Sequence, residues 1–165
     1  MKIKTRPPQS RKADSPAPTV DPAIRIMILD DDALDIQAMR RCLASLPGPW
    51  AEPIGCSDIE DALVALEAEP IDLLFIDYHL GRMTGLEALE ELRAGGCQAP
   101  AILLTGSHGE QMLHEAMRAG VMDYLPKERI SNDLVGQTIR SVLAKAELHR
   151  RIQRKQESSN TRSNA

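Results

Sequence analysis

Hydrophobic positions along the chain fall into two alternating patterns. Ile24 to Leu29, broken only by Arg25, is a short, nearly continuous apolar run of the kind that fills a strand buried on both faces. The segment after it spaces Ile36, Met39, Leu43 and Leu46 by three and four residues, which predicts an amphipathic helix stopped at Pro47, Gly48 and Pro49. The same alternation recurs four more times. A weaker strand around Trp50 to Cys56, interrupted by Pro53 and so placed at a sheet edge, leads into a helix through Glu69 with a capping box of Ser57 and Glu60. Ile71 to Ile76 forms a third strand ending at Asp77; after the loop YHLGRMTG a helix runs from Leu86 to about Arg93, stopped by Gly95 and Gly96. Ala101 to Leu104, ending at Thr105, precedes a helix over Gly109 to Ala119 closed by Gly120. Val121 to Leu125 meets Pro126 and Lys127, and the last helix starts near Asn132 and passes Leu148.

Strands that are hydrophobic throughout, each followed by a helix, predict an α/β doubly wound parallel sheet with helices on both faces. In such a sheet polar ligands bind outside the carboxyl ends of the strands. Those ends carry Asp30 and Asp31, Asp77, Thr105 and Lys127. Three crowded carboxylates repel one another unless a cation neutralises them, and a hard divalent ion such as Mg²⁺ takes oxygen ligands of this kind. Thr105 offers a hydroxyl and Lys127 a compact positive charge, both suited to a phosphoryl group. A carboxylate in that setting can attack phosphorus to give an acyl phosphate. Asp77 closes the central strand alone and is the predicted nucleophile, while the adjacent Asp30 and Asp31 are better arranged to hold metal.

The composition narrows the classes. At 165 residues the chain has room for one ordinary domain, with 42% hydrophobic and 27% charged residues. No stretch approaches the roughly 20 apolar residues of a membrane span, and no secretory signal follows the first residues, so a cytoplasmic chain is expected. Cys42, Cys56 and Cys97 lack any metal-ligand or disulfide spacing and are expected as packed thiols. The net charge of −4 hides an uneven distribution: residues 1–20 and 145–165 each carry +4, and residues 21–144 carry −12. Residues 1–22 hold five of the 11 prolines and are expected to form a disordered basic arm. Residues 145–165 are expected as a basic extension of the last helix with a disordered tail, around a domain spanning residues 23–144. With one Phe, one Trp and two Tyr there is no aromatic platform on a basic face, so specific nucleic-acid binding is not expected. Leu148 and Ile152 continue an apolar stripe into the extension, leaving a homodimer through the last helix open.

ILDDD at 28–32, LLFID at 73–77, MTGLE at 83–87, LLTG at 103–106 and DYLPK at 123–127, in that order over about Ile24 to Leu143, resemble the receiver domain of two-component response regulators, which includes the chemotaxis regulator. The resemblance implies a flavodoxin-like (βα)₅ sheet with strand order 2-1-3-4-5. It implies that Asp77 accepts a phosphoryl group from a histidine kinase or histidine phosphotransfer protein, that Asp30, Asp31 and Asp77 hold Mg²⁺ with the backbone carbonyl of His79, and that Thr105 and Lys127 sense the phosphoryl group. Tyr124 matches the family's switch aromatic. A stand-alone receiver signalling by contact with a downstream protein is expected, with no enzymatic activity beyond its own phosphorylation and dephosphorylation; a relay intermediate passing the phosphoryl group onward is the alternative. Gly81 stands where many members have proline, which should loosen the loop after Asp77. His79 places an imidazole near the water that would hydrolyse the acyl phosphate. An aspartate-nucleophile phosphatase of the haloacid-dehalogenase kind would carry an acid at His79, and a flavodoxin-like mononucleotide site would be repelled by Asp30 to Asp32.

Overall fold

The computed structural model describes residues 23–106 and 109–163, with side chains to residue 160. The basic arm expected at 1–22 lies outside the described residues. The described residues form seven strands and five α-helices in the order β1 (Ile26–Leu29), α1 (Ala33–Ser45), β2 (Ile54–Cys56), α2 (Ile59–Ala68), β3 (Leu73–Asp77), β4 (His79–Leu80), β5 (Met83–Thr84), α3 (Gly85–Ala94), β6 (Ala101–Thr105), α4 (Glu110–Arg118), β7 (Asp123–Pro126) and α5 (Asn132–Ser163). A single 3₁₀ turn, Lys127–Arg129, separates β7 from α5. Five strands form one parallel sheet in the order β2-β1-β3-β6-β7, and β4 and β5 form a separate antiparallel pair. With that pair set aside, this is the doubly wound order 2-1-3-4-5.

The strands read as apolar runs because the sheet is covered on both faces. On one face Met27, Leu29, Leu74, Ile76, Ala101 and Leu103 pack beneath α2, α3 and α4. On the other, Ile26, Ile28, Leu73, Phe75, Ile102 and Leu104 pack beneath α1 and α5. Successive residues of a strand point to opposite faces, and every residue of β1, β3 and β6 is buried. Cys42, Cys56 and Cys97 are free thiols inside these layers.

Several local details differ from the sequence expectation. The cap of α2 is Asp58, whose carboxylate accepts from the Asp61 amide at 2.8 Å, while Ser57 Oγ donates to the Asp61 side chain. The helix starts one residue later than the Ser57 box requires, and aspartate caps as well as serine. A true capping box stands instead at α3, where Thr84 and Glu87 exchange bonds. β2 begins only after Pro53, and Trp50 is joined to the sheet by an isolated bridge to Ile24. On α4 Ala116 is buried and the neighbouring Met117 is 49% exposed. The loop after Asp77 folds into the β4–β5 hairpin, in which Gly81 takes φ +62° at the first turn position, a conformation proline cannot adopt. α5 extends the last helix as far as Ser163, and Leu148 and Ile152 on it are exposed. No described helix is long and apolar enough to cross a membrane.

Candidate functional site

Strand register brings the site together. Leu29 pairs with Ile76, so the next residues, Asp30 and Asp77, stand side by side at the carboxyl ends of β1 and β3. Asp77 pairs with Leu104, which places Thr105 one step beyond on β6, and Thr105 pairs with Pro126, which hands the chain to Lys127. Asp30, Asp77 and Thr105 are buried. Asp31 remains exposed at the rim, where it accepts from the Gly81 amide at 3.1 Å and so ties the hairpin turn to the end of β1. Asp32 caps α1 by accepting from the Leu34 amide at 2.8 Å, and its own amide donates to Asp30 Oδ1 at 2.9 Å.

The Lys127 ammonium lies at the centre of the acids. Its Nζ is 2.8 Å from Asp30 Oδ2, 3.2 Å from Asp77 Oδ1 and 2.7 Å from Asp35 Oδ2. Burial raises the Asp77 pKa, and the neighbouring Asp30 charge raises it further; Lys127 and a hydrogen bond from the His79 amide offset only part of this. Asp30 is likewise raised by burial, against the opposing effect of its bonds to Lys127 and to the Asp32 amide. Burial alone would depress the Lys127 pKa, but its bonds to Asp30 and Asp35 and the charges of Asp30 and Asp77 outweigh that and raise it. The buried acids thus carry more negative charge than one ammonium comfortably balances, which is an environment that favours a further cation.

One oxygen from each of Asp30, Asp31 and Asp77 can be chosen so that all three lie within 4.8 Å of one another. Three hard oxygen donors at that spacing fit a divalent ion such as Mg²⁺. Thr105 Oγ1 points toward Met112 Sδ at 3.7 Å. Tyr124, on β7, is half-buried against the core face that α2, α3 and α4 cover. His79 is exposed, with its ring edge-on to Tyr78 at 4.9 Å. All the residues singled out at the strand ends therefore converge on one rim. Asp35 was not among them. It stands in the first turn of α1, and only the packing of that turn against the end of β7 brings it to Lys127.

Comparison with known proteins agrees with this geometry. The response regulator receiver domain matches residues 26–139. The transcriptional regulatory protein DcuR of Escherichia coli is 30% identical over 107 residues, covering 63% of this chain and 44% of its own length. The response regulator MprA of Mycobacterium ulcerans is 30% identical over 126 residues, covering 76% of this chain and 53% of its own. The chain thus spans about half the length of these relatives. Among solved structures, a CheY-like response regulator receiver domain protein from Methanospirillum hungatei superposes with a TM-score of 0.64 at 25% identity, over 77% of this chain and 98% of the other. The chemotaxis protein CheY4 of Vibrio cholerae, at 19% identity and a TM-score of 0.64 over 73% of this chain and 98% of its own, shares the fold. With the match extending from β1 into α5 and the strand-end acids in register, the chain belongs to the response regulator receiver domain family of two-component signalling.

Proposed function

We propose that this domain accepts a phosphoryl group on Asp77 from a histidine kinase or a histidine phosphotransfer protein and passes the signal to a downstream protein by contact. The observation that carries this reading is the Lys127 ammonium held between Asp77 and the buried Asp30, with Asp31 completing a set of converging carboxylate oxygens.

In the proposed step an Asp77 carboxylate oxygen attacks phosphorus, the bond from phosphorus to the donor imidazole breaks, and an acyl phosphate remains on Asp77. Mg²⁺ bound by Asp30, Asp31, Asp77 and the His79 carbonyl would supply charge neutralisation for the phosphoryl oxygens. Lys127 contributes a second positive charge to the same oxygens, and Thr105 donates its hydroxyl once it leaves the Met112 side. Tyr124, half-buried two positions before Pro126, follows Thr105 as the switch residue and couples the site to the outer face of β7. The exposed His79 ring borders the route by which water reaches the acyl phosphate.

The full chain with Mg²⁺ and a small acyl phosphate should gain a covalent phosphoryl group that survives acid and is lost in base. Asp77→Asn should gain none. Labelling of that variant at the wild-type level would remove Asp77 as the acceptor, and sustained turnover of a phosphate ester would point to a hydrolase instead.

A further inference from the structure

The shortest contact of Lys127 is to neither strand-end aspartate. Asp35, in the first turn of α1, approaches Nζ at 2.7 Å, against 2.8 Å for Asp30 and 3.2 Å for Asp77. Nζ donates hydrogen bonds to Asp35 and Asp30 and stands at ion-pair distance from Asp77. With two of its three N–H donors committed to those bonds, Lys127 turns fully to a phosphoryl group on Asp77 only by giving one of them up.

The three partners differ in what it costs to leave them. The Asp30 side chain is fully buried, and taking its cation away would strand a desolvated charge. Asp77 carries the new group. The Asp35 side chain is 44% exposed, and water can replace the ammonium there at small cost. Lys127 has the long flexible stem needed for such a move, and its backbone is held by the 3₁₀ turn that follows Pro126. Asp35 is also absent from the carboxylates that converge as possible metal ligands among the described residues, so its pairing with Lys127 is separate from metal binding.

We propose that Asp35 is a positioning residue that holds the Lys127 ammonium toward α1 in the unmodified protein and competes with the phosphoryl group on Asp77 for it. The proposal rests on the receiver reading. Asp35 thereby sets the threshold at which Lys127 commits to the phosphoryl oxygens: a stronger pair delays the switch, and a missing one advances it.

The test titrates the full chain, with Mg²⁺ present, with beryllium trifluoride as the phosphoryl mimic, following the backbone amides of Thr105 and Lys127 by NMR. Asp35→Asn keeps the shape and removes the charge. Its half-saturating concentration should fall about two- to fivefold, the range of a partly exposed ion pair. The difference from wild type should close near 1 M salt, where charges are screened within about 3 Å, and Asp35→Glu should restore the wild-type value. An Asp35→Asn chain that titrates like wild type at low salt overturns the proposal. So does a difference that persists unchanged at high salt, which would mark a structural role. Asp77→Asn separates the two levels: if it responds to the mimic as wild type does, the receiver reading falls and the role of Asp35 with it, whereas a response that needs Asp77 and ignores Asp35 removes the positioning role alone.

Discussion

Gly85 lies so close beneath Asp77 that a Cβ at this position would overlap the Asp77 carbonyl oxygen and come within 2.9 Å of Ile76 Cγ2. Its amide also donates to the Tyr78 carbonyl at 2.7 Å, which pins the start of α3 against the end of β3. The glycine is there for close approach, not for an unusual backbone angle. Gly85→Ala should therefore push on the very residue that presents the candidate nucleophile. We expect a loss of about 1–3 kcal/mol, the usual cost of overpacking, read by denaturant unfolding. Phosphoryl acceptance at a temperature where the variant is still folded should fall as well. A variant that unfolds and labels like wild type would refute this account of Gly85.

The raised pKa values of Asp30 and Asp77 imply a pH signature in metal-free buffer. Both groups sit above their ordinary value of 3.8, chiefly because they are buried. Between 3.8 and the raised values the folded protein binds more protons than the unfolded chain, so stability falls as pH rises through that window. Asp77→Asn removes one of the two contributions. Without Mg²⁺ at pH 7 this variant should melt a few degrees above wild type, and the gain should shrink as the pH approaches 3.8. Identical melting curves at neutral pH would contradict it.

Metal addition should act in the opposite sense. A ligand that binds only the folded state stabilises it by about 2.7 kcal/mol at 100 times its dissociation constant. Mg²⁺ should raise the melting temperature of the wild-type chain, and Asp31→Asn should lose most of that rise. Because Asp31 is exposed, the same variant without metal should stay within about 0.5 kcal/mol of wild type. A melting temperature that does not respond to millimolar Mg²⁺ would count against the carboxylate set as a metal site.

Ala146 is the last buried residue of α5 among those described; beyond it Leu148 is 58% and Ile152 45% exposed. Deleting residues 148–165 should change the unfolding free energy by no more than about 0.5 kcal/mol, since residues 148–160 are exposed. Sedimentation of both chains tests the exposed pair as a dimer seam. A dimer that becomes a monomer on truncation assigns the seam to these residues, and an unchanged mass excludes it.

Much of this protein was legible along the chain because its signals are local. Apolar runs at 24–29, 71–76 and 101–104 read as strands buried on both faces, and residues 26–29, 73–76 and 101–104 within them are. Placing Asp30, Asp77, Thr105 and Lys127 at strand ends then required only the rule that parallel strands share a carboxyl edge. The cap of α2 escaped because Ser57, Asp58 and Asp61 offer two nearly equal capping registers, and packing chose Asp58. The fold of the loop after Asp77 escaped for a related reason: two residues per strand are too few to show an alternation, and the Asp31 bond to the Gly81 amide spans 50 residues.

Sequence alone determined the order of the five sheet strands and their helices, the two apolar faces, and the strand-end acids and lysine that share the rim, since each follows from periodicity and from the direction of the chain. Only the tertiary structure decided how the Lys127 charge is divided. That division depends on distances of 2.7, 2.8 and 3.2 Å to Asp35, Asp30 and Asp77 across as many as 97 residues of chain, and on one partner being half in water while another is fully buried. Contact and desolvation between segments far apart in the chain leave no trace in its local pattern, which is why Asp35 becomes visible only once α1 and β7 have been brought together.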